Sequence, residues 1–320
     1  MNFEQAVAAI NAADEIALAC HIGPDGDALG SMLGFALAAR SHGKKVTASF
    51  GTPFVMPGPL GFLPGQEFLV PPGEFPGTPG LMVVFDVGSA ERLGELAVSA
   101  NAADKVIVLD HHVTNEGFGD IQLIDGEAAA TGQILYCLLE ALRWAITSDV
   151  AQCILTALTT DTGRFQYSNT SPETMEVAAR MIEAGAVPPE ISRHIYEEAP
   201  FGYLVAAGNA LARARLHPEV AVVSTVITQQ DLTSAGVDWT DTDNLIDTLR
   251  LATEADVAVL AKAHDDGRVK VSLRSRGLTD VGSLAASFGG GGHRLAAGFT
   301  VHGDADKVVD QVVAMVGDYR

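Results

Sequence analysis

Four short segments carry side chains able to hold a divalent cation, and each follows an apolar run. His21-Ile22-Gly23-Pro24-Asp25-Gly26-Asp27 leaves the run at 15–20. Asp86 closes 81–86, and Asp110-His111-His112 closes 105–110. Asp161 ends an apolar helical stretch in Thr160-Asp161-Thr162-Gly163-Arg164-Phe165. Taken singly, each has a bland reading: Asp25 and Asp27 are placed to cap a helix, and a strand-end aspartate such as Asp86 is often a turn residue. Taken together, five aspartates and three histidines gather at element ends on one side of a predicted sheet. Carboxylate oxygens mixed with imidazole suit hard or borderline cations such as Mn²⁺. The natural use of such a set is a pair of metals about 3.5–4 Å apart that serves in-line displacement at phosphorus. A second constellation lies near the C-terminus: Arg274-Ser275-Arg276, then Gly289, Gly290, Gly291, Gly292, His293 and Arg294, then Ala296-Ala297-Gly298. A glycine run alone reads as a flexible loop; flanked by arginines and histidine it reads as a phosphate clamp.

The elements that must position these groups are legible. Runs at 15–20, 45–50, 81–86 and 105–110 read as strands of a parallel sheet buried on both faces, with helices between them. Such sheets present ligand chemistry at the carboxyl ends of their strands. Helices are expected at 28–41, at about 130–142, 149–160 and 172–184, the last with Ser171 as N-cap and Pro172 at its first position. Thr131 and Gly132 open a helix and are read as capping residues. Residues 51–80 hold eight of the 14 prolines and seven glycines, so a loop is expected. The proline-bearing stretch 186–205 reads as a linker between a first domain, 1–185, and a second, 206–320. In the second, strands are expected at 220–227, 256–264, 268–276 and 296–301, the middle two joined by the turn Asp265-Asp266-Gly267, with a helix at 281–288 and another at the C-terminus.

The 320 residues carry 20 Lys+Arg against 40 Asp+Glu, a net charge of −20, of which −16 falls in 1–205. That excess argues against a grip on long DNA or RNA and against an anionic membrane surface. Three scattered cysteines, Cys20, Cys137 and Cys153, form no CxxC pair and fit a reducing cytoplasm. The N-terminal stretch lacks the basic, then apolar, pattern of a signal peptide, and no apolar run approaches the length of a membrane span.

The order HxxPDGDxxGS (21–31), strand-end Asp86, DHH (110–112), DTGRF (161–165), RSR (274–276) and GGGGHxxAAG (289–298) resembles the DHH phosphoesterase superfamily with its DHH-associated C-terminal domain. The resemblance spans nearly the whole chain. Its size and the segment from Phe165 to Pro172 are similar to the nano-RNase type, oligoribonucleases that also act on 3′-phosphoadenosine 5′-phosphate (pAp). The resemblance implies an α/β fold, an N-terminal parallel-sheet domain plus a smaller C-terminal α/β domain, with the active site in the cleft between them. It implies two Mn²⁺, with Mg²⁺ as the alternative: one on His21, Asp25 and Asp86, the other on Asp27, Asp86, His111 and Asp161. Asp110 would orient its neighbours and His112 would face the scissile phosphate. Arg274, Arg276, Gly290, Gly291, Gly292 and His293 would grip the nucleotide. The implied reactions are hydrolysis of very short oligoribonucleotides and of pAp in the cytoplasm, by a chain that relatives suggest is a homodimer. A phosphodiesterase of cyclic dinucleotides or of pApA is the alternative, and an inactive nucleotide sensor is a further one. A pyrophosphatase fits the glycine motif less well, and Arg164 is open between substrate contact and pairing with an acid.

Overall fold

The computed structural model describes residues 3–320 and divides into two compact units, Met1–Glu197 and Glu198–Arg320. The first two residues of the N-terminal stretch lie outside the described part. The first unit opens with α1 (Glu4–Ala12), β1 (Glu15–Cys20), α2 (Gly26–Ser41) and β2 (Lys45–Phe50). It continues through β3 (Met82–Phe85), α3 (Ala97–Ala102), β4 (Val106–Asp110) and β5 (Ile121–Ile124). Helices α4 (Thr131–Leu142), α5 (Ser148–Asp161), α6 (Pro172–Glu183) and α7 (Pro188–Ser192) complete it. The sheet runs β2-β1-β3-β4-β5 with every pairing parallel. Apolar side chains pack on both faces, which is why β1, β3 and β4 read as continuous apolar runs.

Helix α2 is buried from Gly26 to Ala39. A helix apolar all round must be covered all round. Glycines let its neighbours close in: a Cβ on Gly30 would stand 2.5 Å from the carbonyl oxygen of Cys153 on α5. Helix α6 carries the expected cap, with Ser171 accepting from the N–H of Thr174.

The structure departs from the sequence reading at several points, and helices α1 and α3 are among the elements that the pattern did not show. The strand pattern missed β5, whose four residues are too few to show a period. The proline-rich stretch is more ordered than a plain loop. It makes short 3₁₀ turns at Gly58–Leu60, Gln66–Phe68 and Pro72–Glu74, and it buries Leu60, Leu63, Phe68 and Phe75. The segment read as a linker is shared between the units: Ile191 and Ile195 are buried in the first core, whereas α8 (Phe201–Ala212) belongs to the second unit.

The second unit adds β6 (Arg215–His217), β7 (Val222–Thr228), α9 (Gln229–Ala235), α10 (Leu245–Leu249), β8 (Val257–Ala263) and β9 (Arg268–Ser275). It ends with α11 (Val281–Ser287), β10 (Gly291–His293), β11 (Ala296–His302) and α12 (Ala305–Met315). Its sheet runs β10-β11-β9-β8-β7-β6, with β7 and β8 parallel and the other pairs antiparallel. The two faces bury separate cores. The predicted hairpin turn sits between β8 and β9, where Gly267 takes φ +82°. No helix among the described residues is long and apolar enough to cross a membrane.

Candidate metal centre

The carboxyl ends of three adjacent strands deliver most of the site. His21 follows β1, Asp86 follows β3, and Asp110 is the last residue of β4. Asp86 takes φ +59° while its N–H still donates to the carbonyl of Leu109, so it keeps the strand register and turns its side chain out of it. Aspartate tolerates this region better than most residues. Asp25 caps α2, accepting from the N–H groups of Asp27 and Ala28 at 3.1 Å. Asp27 sits in the first turn of α2, and Asp161 is the last residue of α5.

These groups converge. His21 Nδ1 lies 3.0 Å from the carbonyl oxygen of Ile22, which turns Nε2 toward Asp25 Oδ1 at 3.8 Å and Asp86 Oδ2 at 3.4 Å. His111 Nδ1 faces the carbonyl of Ala128 at 3.2 Å. Its Nε2 meets Asp27 Oδ2 at 3.6 Å, Asp86 Oδ1 at 3.6 Å and Asp161 Oδ2 at 3.4 Å. Two sets of ligating atoms result, His21, Asp25, Asp86 and Asp27, Asp86, His111, with Asp86 in both. The spacings exceed ordinary N–H···O hydrogen bonds. They suit donors about 2.0–2.2 Å from a shared ion, which stand about 3 Å or more from each other. Each histidine has its other nitrogen held by a backbone carbonyl, the usual way an imidazole is aimed at a metal. The donor set fits a pair of divalent cations.

The electrostatics agree. Burial opposes charge on His21, but Asp25 and Asp86 outweigh it and its pKa rises to about 10. Burial likewise opposes charge on His111, and Asp161, Asp27 and Asp86 lift its pKa to about 9. Burial, with the nearby Asp25 and Asp86 and against the pull of His111, raises Asp161 to about 7. Burial also drives Asp27 upward, and the Asp86 charge adds to it. Asp86 is held well below the carboxylate range because His21, His112 and His111 overcome the effect of its burial. The cluster is rich in negative charge and short of positive.

A third set, Asp86, Asp110 and His112, also converges. Its closest pair is already a hydrogen bond: His112 Nδ1 to Asp110 Oδ1 at 2.7 Å. Asp110, wholly buried, also accepts from Asn115 Nδ2 on Oδ2 at 2.5 Å. It therefore orients His112 and its loop. The sequence reading missed Asn115, and it missed Asn169, whose amide donates to the carbonyls of Ala129 and Asp161 and ties the end of α5 to the start of α4. Asn169 lies in the 165–172 segment already singled out, but nothing in its spacing reveals the partners. Arg164 takes φ +64°, and its guanidinium lies 4.6 Å from the Tyr196 ring centroid, a cation–π contact in place of the alternative acid.

In the second unit, Arg274 lies on β9 with Nη1 donating to the carbonyl of Leu273, and Arg276 follows with Nη1 on the carbonyl of Ala252. Buried Asp256 fastens the turn behind them, accepting from the N–H groups of Leu278 and Thr279 and the Thr279 hydroxyl. The glycine run is partly strand: Gly291, Gly292 and His293 form β10 against β11. A Cβ on Gly292 would stand 2.6 Å from the carbonyl of Ala296, and one on Gly290 would collide with Gly298 and Phe299. Close strand pairing thus accounts for these two glycines without a ligand. Gly289 and Gly291 have open space where a side chain would be.

Known proteins carry the same plan. Residues 15–158 match the DHH family N-terminal domain, and 219–319 match the DHHA1 domain. The bifunctional oligoribonuclease and PAP phosphatase NrnA of Thermus thermophilus is 32% identical over 302 residues, covering 94% of this chain and 89% of that protein. The protein of the same name from Bacillus subtilis is 26% identical over 316 residues, with 96% of each chain covered. The crystal structure of an exopolyphosphatase-related protein from Bacteroides fragilis superposes with a TM-score of 0.88 over 98% of this chain and 95% of its own, at 24% identity, and so shares the fold. With both domain profiles in order and a relative this similar along almost its full length, the chain belongs to the DHH superfamily of phosphoesterases, in the nano-RNase branch.

Proposed function

We propose that the protein hydrolyses very short oligoribonucleotides to mononucleotides and dephosphorylates pAp, using two divalent cations, Mn²⁺ foremost and Mg²⁺ as the alternative. The observation that carries this reading is the pair of ligand sets joined through Asp86. The names of the relatives that match over most of the chain support the substrate class. His21, Asp25 and Asp86 would hold one cation, and Asp27, Asp86, His111 and Asp161 the other. When bound, the cations supply positive charge for the phosphoryl oxygens and acidify a water. Asp110 holds His112 by Nδ1, so Nε2 is the nitrogen that would deliver a proton to the leaving oxygen. Arg274, Arg276, Gly290, Gly291, Gly292 and His293 are the second unit's substrate-binding groups in this reading, with the guanidiniums suited to forked phosphate contacts. Domain limits of 1–185 and 206–320 and a cytoplasmic setting go with it.

The test is turnover of pAp and of a dinucleotide by wild type and Asp86→Ala, with Mn²⁺ present. The variant should lose nearly all activity on both substrates. Undiminished turnover by Asp86→Ala contradicts the two-cation reading. Parallel rates on pApA and cyclic di-AMP decide the substrate within the same chemistry.

A further inference from the structure

Thr131 does not cap its own helix. It is the first residue of α4, after Ala130, which makes no side-chain cap. The cap comes from Asp27, far back in the chain: the N–H of Thr131 donates to Asp27 Oδ2 at 2.7 Å, and that of Gly132 to Asp27 Oδ1 at 2.9 Å. Ser31 adds its hydroxyl to Asp27 Oδ1 at 3.0 Å. The Thr131 hydroxyl goes elsewhere, to Asp86 Oδ1 at 3.1 Å. Thr131 has no exposed surface, so bulk water does not reach this donor in the structure. One buried residue therefore holds two of the three carboxylates that converge on His111, those of Asp27 and Asp86. The hydroxyl engages Oδ1 of Asp86, the oxygen facing His111, while Oδ2 faces His21.

We propose that Thr131 is a positioning residue that sets how Asp86 is shared between the two cations, and that its hydroxyl selectively supports the cation on the Asp27, Asp86 and His111 side. The inference rests on the two-cation reading above. A carboxylate free to rotate can offer either oxygen to either ion; a donor fixed on Oδ1 removes that freedom. Outer hydrogen bonds of this kind commonly govern metal affinity by about 10–100-fold. Replacing the hydroxyl with a methyl loosens only the Asp86 arm, because the backbone amides of 131 and 132 still hold Asp27.

The experiment is equilibrium Mn²⁺ binding, by calorimetry and by the electron paramagnetic resonance of free Mn²⁺, on wild type, Thr131→Val, Thr131→Ala and Thr131→Ser. Unfolding curves in chelator check that each is folded. Wild type should bind two ions. Thr131→Val should bind one with unchanged affinity and the other about 10-fold or more weakly. Thr131→Ala carries the same expectation should valine pack badly, and Thr131→Ser should restore both affinities. Two unchanged affinities in the valine and alanine variants, equal weakening of both ions, or a serine variant as impaired as valine overturns the proposal alone. A wild type that binds no divalent cation overturns the reading beneath it as well.

Discussion

In the proposed reaction His112 and Asp110 would divide one task between a nitrogen and the carboxylate that aims it. The pair is bonded at 2.7 Å, and Asn115 holds the second oxygen of Asp110. If His112 protonates the leaving oxygen, its loss should matter most where that oxygen is a poor leaving group. His112→Ala should slow dinucleotide hydrolysis by about 10²-fold or more. On a p-nitrophenyl nucleotide ester, whose leaving group needs no proton, the loss should be much smaller. Equal losses on both substrates assign His112 to binding. The same cluster predicts the pH dependence of stability in chelator-treated protein. Asp161, His111 and His21 have folded pKa values raised to about 7, 9 and 10. A raised folded pKa means stability present at low pH and lost as pH rises through the folded value. All three have that sign, so the melting temperature should fall steadily from pH 6 to pH 10, and added Mn²⁺ should flatten the decline. A melting temperature that rises over this range contradicts the charge distribution. The residue types proposed as ligands were legible because strand-end aspartates and adjacent histidines have few packing uses. Ser31 and Thr131 were not, since a hydroxyl beside a helix start looks the same whether it caps its own turn or reaches a carboxylate 45 residues away in sequence, as Thr131 does with Asp86.

Among the elements, α2, α4 and α5 depend on backbones that approach closely. A Cβ on Gly132 would stand 2.6 Å from the Cβ of Ala157 on α5. Gly132 also presents its N–H to Asp27, so the packing of α4 on α5 and the aim of a site carboxylate share one residue. Gly132→Ala should destabilise the chain by about 1–3 kcal/mol, the usual cost of overpacking a filled interior, read as a lowered midpoint in chemical unfolding. An unchanged midpoint means that α4 shifts freely and that the start of α4 does not fix Asp27. Most elements were readable from pattern. The parallel strands β1, β3 and β4 lie in largely apolar runs, and α6 announces itself with Ser171 and Pro172. The pattern failed for β5, β6 and β10, which have four, three and three residues. Their strand character comes from partners, β4, β7 and β11, and no local sequence period can report a partner. The buried side chains of the proline-rich stretch were hidden for the same reason: Leu63 and Phe68 join the core through tertiary contact, not through periodicity.

At the scale of the molecule the governing fact is charge. The first 205 residues carry −16 of the total −20, and five of those acids are the carboxylates of the centre. Two divalent cations would return four positive charges at one place on a surface that otherwise repels phosphate. The second unit's Arg274 and Arg276 belong to the better balanced part of the chain. A long nucleic acid must align many phosphates with basic side chains, and this surface offers few. A short nucleotide needs only a local positive patch. The most direct measurement is a set of initial rates with Mn²⁺ at matched concentrations of pAp, a dinucleotide and an RNA of about 20 nucleotides. The proposed function predicts rapid release of AMP from pAp, rapid cleavage of the dinucleotide, and a much lower rate on the long strand. A long strand cut as fast as the dinucleotide, or no hydrolysis of either small substrate, would contradict it.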